Sequence, residues 1–97
     1  MMREVTVQEF AQEVKDMVME VVPEEFEGAM MEMSKARARY DEEDAELIFY
    51  TGDYNHGGNA SMTIRNGAIE SIYEDKGTYH FTLDDDTTLS VTETPEL

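Results

Sequence analysis

Cysteine and tryptophan are both absent from this chain, proline occurs twice, and lysine and arginine together supply only 7 of 97 residues. Without cysteine there can be no disulfide framework and no thiolate metal site, and the chain suits a reducing compartment, so a cytoplasmic setting is expected. No apolar run nears the roughly 20 residues a membrane span needs, and Met1, Met2, Arg3 and Glu4 lack the basic-then-apolar order of a secretory signal. A chain this short builds one modest core, burying about two thirds of the surface the unfolded chain exposes. Residues 1–97 therefore read as a single domain.

What is abundant is negative charge. Asp and Glu number 23, which gives a net charge of −16. The acidity is spread along the chain, with 14 acidic and 5 basic residues up to Glu46 and 9 acidic and 2 basic after it. Such a field repels nucleic acid and anionic lipid and steers encounter with basic protein surfaces. The same composition also serves plain solubility or adaptation to high salt.

Thr6 followed by Glu9 is a capping-box pattern, so a helix is expected to start there. Val7, Phe10, Val14, Met17, Val18 and Val21 recur at three- and four-residue steps, which predicts an amphipathic helix of about four turns ending at Pro23. Pro23, Glu24 and Glu25 then suit the first turn of a second helix carrying Phe26, Met30, Met33 and Arg37 at helical spacing, although Gly28 weakens it. Ala36 to Tyr40 alternates small with basic residues and fits a strand equally well. The eight methionines read mainly as core filler, Met17, Met30 and Met33 among them, while Met19 and Met31 fall off the stripes and would suit a dimer or partner surface.

From Leu47 the period changes to alternation. Leu47 to Thr51 reads as a strand, Gly52 to Asn59 as a loop, and Asn66-Gly67 as a two-residue type I′ hairpin turn that needs positive φ. That turn would set Ile64 opposite Ile69. Glu74 to Gly77 forms the next turn, Tyr79, Phe81 and Leu83 line one face of a further strand, and Leu89 and Val91 complete the last. A three- or five-residue connection would align these strands, with Asp84, Asp85 and Asp86 in or beside it. The expected class is α+β: one or two N-terminal helices over about 6–40, packed on a four- or five-stranded antiparallel meander over about 46–93. The expected core is Val7, Phe10, Val14, Val18, Ile64, Ile69, Phe81, Leu83, Leu89 and Val91.

Catalysis has little material here. No cysteine nucleophile, G-x-S-x-G elbow, phosphate loop or H-E-x-x-H helix occurs, and His56 and His80 read as loop and sheet-face residues. Asp53, Asn55, Gly57 and Gly58 have the spacing of a calcium loop, but its twelfth position is Ile64, where a bidentate glutamate is required. No catalytic residue, cofactor or metal is expected.

The carboxylates fall into groups: Glu24, Glu25 and Glu27; Asp41, Glu42, Glu43 and Asp44; Glu74 and Asp75; and Asp84, Asp85 and Asp86. Turns are ordinarily polar. Yet carboxylates clustered on turns between rigid elements also imitate a row of phosphates, and a protein that presents Lys and Arg to DNA would accept them. In size, acidity, lack of cysteine and clustered carboxylates the chain resembles the small acidic DNA-mimic proteins of phages and mobile elements, among them anti-CRISPR inhibitors of type II effector nucleases. Val7-Gln8-Glu9-Phe10, Val14-Lys15 and Pro23-Glu24-Glu25-Phe26 are also similar to short proteins from mobile elements of gut Firmicutes. The resemblance implies an inhibitor that blocks the nucleic-acid site of a basic protein, through Asp41, Glu42, Glu43, Asp44, Glu74, Asp75, Asp84, Asp85 and Asp86, without itself binding nucleic acid or membrane. The alternative is an acidic interaction module with no inhibitory role. A homodimer is compatible with either.

Overall fold

In the computed structural model of this chain, residues 2–25, 32–52 and 60–94 are described. A two-residue strand β1 (Arg3–Glu4) leads into helix α1 (Val7–Glu13). There follow β2 (Met19–Glu25), β3 (Met33–Asp41), β4 (Glu46–Thr51), β5 (Ala60–Arg65), β6 (Ile69–Asp75), β7 (Thr78–Leu83) and β8 (Thr88–Glu93). All eight strands join one antiparallel sheet in the order β1-β6-β7-β8-β2-β3-β4-β5. This overturns the expected α+β arrangement of one or two helices on a four- or five-stranded meander.

The helix starts where the sequence says. The Glu9 N–H donates to Thr6 Oγ1 at 3.0 Å and the Thr6 N–H to Glu9 Oε1 at 2.9 Å, the reciprocal capping box. It then stops after seven residues, at Val14. Its last turn holds no basic residue to favour the negative end of the helix dipole. The chain beyond is Val18-Met19-Glu20-Val21-Val22, whose β-branched side chains favour extended backbone. Val21 satisfies both periods, being seven residues from Val14 and two from Met19. The sheet wins it: Met19 and Val21 are buried and Glu20 is exposed. Met19 therefore belongs to the core, not to an outer dimer patch. Pro23 sits within β2 opposite Leu89, beyond the last pairing to β3 and beside a register shift, where one missing N–H is tolerated.

The expected second helix is also a strand where it is described. Along β3, Met33, Ala36 and Ala38 are buried. The three-residue step coincides with Lys35, at φ 55. β3 pairs with β2 on both sides of this kink (Val21↔Met33, Met19↔Ala36), and beyond it with β4 (Arg37↔Tyr50 to Asp41↔Glu46). The irregularity bends β3 between its two neighbours, β2 and β4, within the one continuous sheet. Phe26, Gly28, Met30 and Met31 lie outside the described residues.

The sheet curls upon itself. β4 and β7 are four places apart in the order, about 19 Å in a flat sheet, yet the Phe49 and Phe81 ring centroids are 6.1 Å apart. Phe10 of α1 meets both edge-on, at 6.1 Å from Phe49 and 4.9 Å from Phe81, and Tyr79 at 4.9 Å. Of the expected core, Val7, Phe10, Val14, Ile64, Phe81, Leu83, Leu89 and Val91 are buried, while Val18 and Ile69 are half-buried. Val5, Met19, Val21, Met33, Ala36, Ala38, Leu47, Phe49, Met62, Ile72 and Tyr79 join them in the same cluster.

The hairpin expected at Asn66-Gly67 does not form. Ile64 pairs with Leu47 of β4 and Met62 with Phe49, while Ile72 of β6 pairs with Phe81 of β7. Leu47 matches the apolar partner that Ile69 would have been for Ile64, and Phe49 gives Met62 a large apolar partner where the expected hairpin would have set it opposite the polar Ser71. Asn66–Ala68 is a single 3₁₀ turn, and Gly67 is not at positive φ. The turn with two positive φ values is Lys76-Gly77, at 54° and 86°, the type I′ signature. The β6-β7-β8 strands follow one another as expected, but Glu74 and Asp75 end β6 and do not belong to the turn expected over Glu74 to Gly77. Phe81 lies opposite Leu89 across a three-residue connection, Asp84 to Asp86, closed by Leu83 N–H donating to Thr87 O at 2.8 Å.

Candidate interaction surface

Each carboxylate cluster that was expected to bind a partner has a place in this framework. Asp41–Asp44 turns β3 into β4. Asp41 Oδ1 accepts the Glu43 N–H at 3.0 Å and the Asp44 N–H at 3.3 Å, which leaves Glu42, Glu43 and Asp44 exposed on a turn fixed from within. Ala45, at φ 53, completes it.

Asp84–Asp86 turns β7 into β8, and all three are exposed. Asp85 Oδ1 accepts the Thr87 N–H at 3.0 Å. Bonds from the Thr87 hydroxyl first, and then from its backbone, hold the Asp85 carboxyl below the usual range. Thr87 is only 2% exposed, so it anchors the turn in the body of the domain. Asp86 adopts φ 65, a conformation aspartate tolerates better than most residues.

These two turns come together. The 3₁₀ turn between β5 and β6 binds both: Asn66 N–H donates to Ala45 O at 2.8 Å, and Asp84 N–H donates to Ala68 O at 2.9 Å. Asp44 and Asp84 line one shallow concavity with Arg65 and Gly67. Arg65 stands opposite Glu46 in the β4-β5 register. One end of the molecule therefore carries two rigid acidic turns around a single arginine.

Glu74 and Asp75 lie at the other end of β6 and are half-buried. Glu74 Oε2 accepts the Gly77 N–H at 3.0 Å, and Glu74 Oε1 meets Arg3 at 3.3 Å. Arg3 also grips Glu13 with two bonds, of 2.7 and 2.9 Å, and the Tyr79 hydroxyl donates to Glu13 Oε1 at 2.7 Å. The bonds from Arg3 and Tyr79 lower the Glu13 pKa, and Glu13 in turn raises that of Arg3. Burial, with help from Glu13, pushes Tyr79 up to about 12. This network ties β1 and α1 to β6 and β7. Its members stand up to 76 positions apart at one end of the register, and only their shared alternation hinted at it.

His80 is exposed on the outer face, between Tyr73 and Ser90 in register. His56, and the loop of Asp53, Asn55, Gly57 and Gly58, lie outside the described residues. Among the described residues no group of three or more His, Cys, Asp or Glu side chains could hold a metal ion. Likewise, no helix of the described residues is long and apolar enough to cross a membrane. Comparison with protein-family models, curated proteins and solved structures found no match for this chain.

Proposed function

We propose that this chain is an acidic binding protein that occupies the nucleic-acid site of a basic partner, a type II CRISPR effector nuclease being the favoured target. The observation that carries this reading is the joining of the Asp41–Asp44 and Asp84–Asp86 turns by the same 3₁₀ turn. Carboxylates held on backbone that is already hydrogen-bonded lose little freedom on binding, which is what an arginine-lined phosphate site rewards. The charge of −16 supports fast, salt-sensitive encounter with such a site. Glu74 and Asp75 are a lesser contact in this reading, since Glu74 already serves Arg3 and Gly77.

The test is displacement. Titrated into a guide-loaded type II effector nuclease holding fluorescently labelled target DNA, the protein should release the DNA, and less so as salt rises. Binding without release would favour the plain interaction module. Neither binding nor release, across several such nucleases at low salt, would remove the target class.

A further inference from the structure

We propose that the outer edge of β5 is a self-association edge, on which β5 of a second copy pairs antiparallel about a two-fold axis at Thr63. Among the described residues β5 is paired with β4 alone and ends the strand order. No other described strand covers its outer edge, and backbone donors and acceptors along such an edge are the template onto which another strand adds. Natural edge strands are commonly guarded by charge or proline. Ala60 to Arg65 contains no proline and no carboxylate, and its single charge is Arg65 at the end.

Charge selects the occupant. From Tyr54 to Ile69 the sequence has no Asp or Glu, the longest such stretch in a chain with 23 of them. Two copies, each at −16, meet with least repulsion along this strand. The two-fold at Thr63 sets Ser61 opposite Arg65 and Met62 opposite Ile64 of the second copy, so no like charges face each other and each residue keeps its side of the sheet. Antiparallel pairing also separates the acidic ends. The turns at Asp41–Asp44 and Asp84–Asp86 adjoin the Arg65 end of β5, and the second copy brings its Ala60 end there. This inference does not depend on the function proposed above.

The chain has no cysteine, so one introduced thiol reports on one position. Residues directly opposite in an antiparallel pair have Cα atoms about 4.5–5.5 Å apart, within the usual disulfide span. Thr63→Cys should therefore give a disulfide-linked dimer at least about tenfold faster than Thr92→Cys, on the exposed face of β8, under the same mild oxidation. In sedimentation the parent should show a dimer whose share grows as salt screens the net charge, and Thr63→Glu should abolish it while leaving circular dichroism unchanged. Equal crosslinking at the two positions, or a parent that stays monomeric at every salt and at near-millimolar concentration, would overturn the proposal.

Discussion

The Phe10 ring packs edge-on against Phe81 at a centroid separation of 4.9 Å, so a seven-residue helix shares its largest side chain with a strand more than 60 residues further along. A helix this short is not stable in isolation. Its cap fixes where it begins, but its persistence depends on Val7, Phe10 and Val14 being buried in the curled sheet.

Phe10→Ala should therefore destabilise the whole domain by about 3–5 kcal/mol, the range for removing a fully buried phenylalanine. Thr6→Ala, which deletes only the cap, should cost about 1 kcal/mol. Urea unfolding followed by far-ultraviolet circular dichroism would order the two. A smaller loss for Phe10→Ala than for Thr6→Ala would mean that the helix is peripheral to the core.

The Tyr79–Glu13 bond gives a pH dependence of defined sign. The Tyr79 hydroxyl is raised from 10.0 to about 12, so its contribution is complete below about pH 10 and is lost as pH rises through about 12. Glu13 is lowered, so its contribution is present above the ordinary carboxylate range and is lost on acidification through its depressed value. Tyr79→Phe should flatten the loss of stability between about pH 10 and 12. Parallel stability curves for parent and variant across that interval would show that the bond carries no such linkage.

Two glycines in neighbouring turns should respond oppositely. A Cβ at Gly67 would meet nothing within 4 Å, and its φ is not positive, so Gly67→Ala should be neutral to slightly stabilising. Gly77 also has open space around it, but its φ is +86, and Gly77→Val should cost at least about 1 kcal/mol. Melting temperatures that fell equally for both would contradict the turn geometry.

The acidic turns separate folding from binding. Asp84→Asn with Asp86→Asn should leave the melting temperature nearly unchanged, because among the described residues the side-chain bond that holds this turn comes from Asp85, and should weaken binding to the target about tenfold or more. Asp85→Ala should lower the melting temperature, because it removes the acceptor of the Thr87 N–H. If the Asp84/Asp86 pair lost stability while Asp85→Ala did not, the roles would be reversed.

Local chemistry was legible in the sequence and long-range pairing was not. Thr6 and Glu9 lie three residues apart, and their mutual bonds could be read directly. Tyr79, Phe81 and Leu83 alternate in a way that only a strand uses. Val14 to Val21, by contrast, fits a 3.6-residue period and a two-residue period alike, and what decides it is β8, whose Val91 lies opposite Val21. Asn66-Gly67 carries a strong hairpin signal that was outweighed because β4 supplied β5 with better apolar partners. The four acidic groups were visible as clusters. That two of them, Asp41–Asp44 and Asp84–Asp86, meet at one end of the molecule was not, since it depends on where the Asn66–Ala68 turn meets Ala45 and Asp84.

The position of β2 in the sheet bears on the order in which the molecule can be made. β2 pairs across Val21↔Val91, and β1 pairs with β6 across Arg3↔Glu74. On a ribosome the first twenty-five residues emerge long before the strands that receive them, and β2 has only β3 to meet until Thr88–Glu93 has been synthesised. The apolar side chains of α1 and β2 can meet β3 and β4 early, but those that face β7 and β8 must wait while the remainder of the chain is added. Closing loops of that length slows folding. The carboxylates scattered among those early residues, Glu9, Glu13, Asp16, Glu20, Glu24 and Glu25, keep neighbouring nascent chains apart during the interval. Part of the acidity thus protects a state that exists only before the sheet has closed.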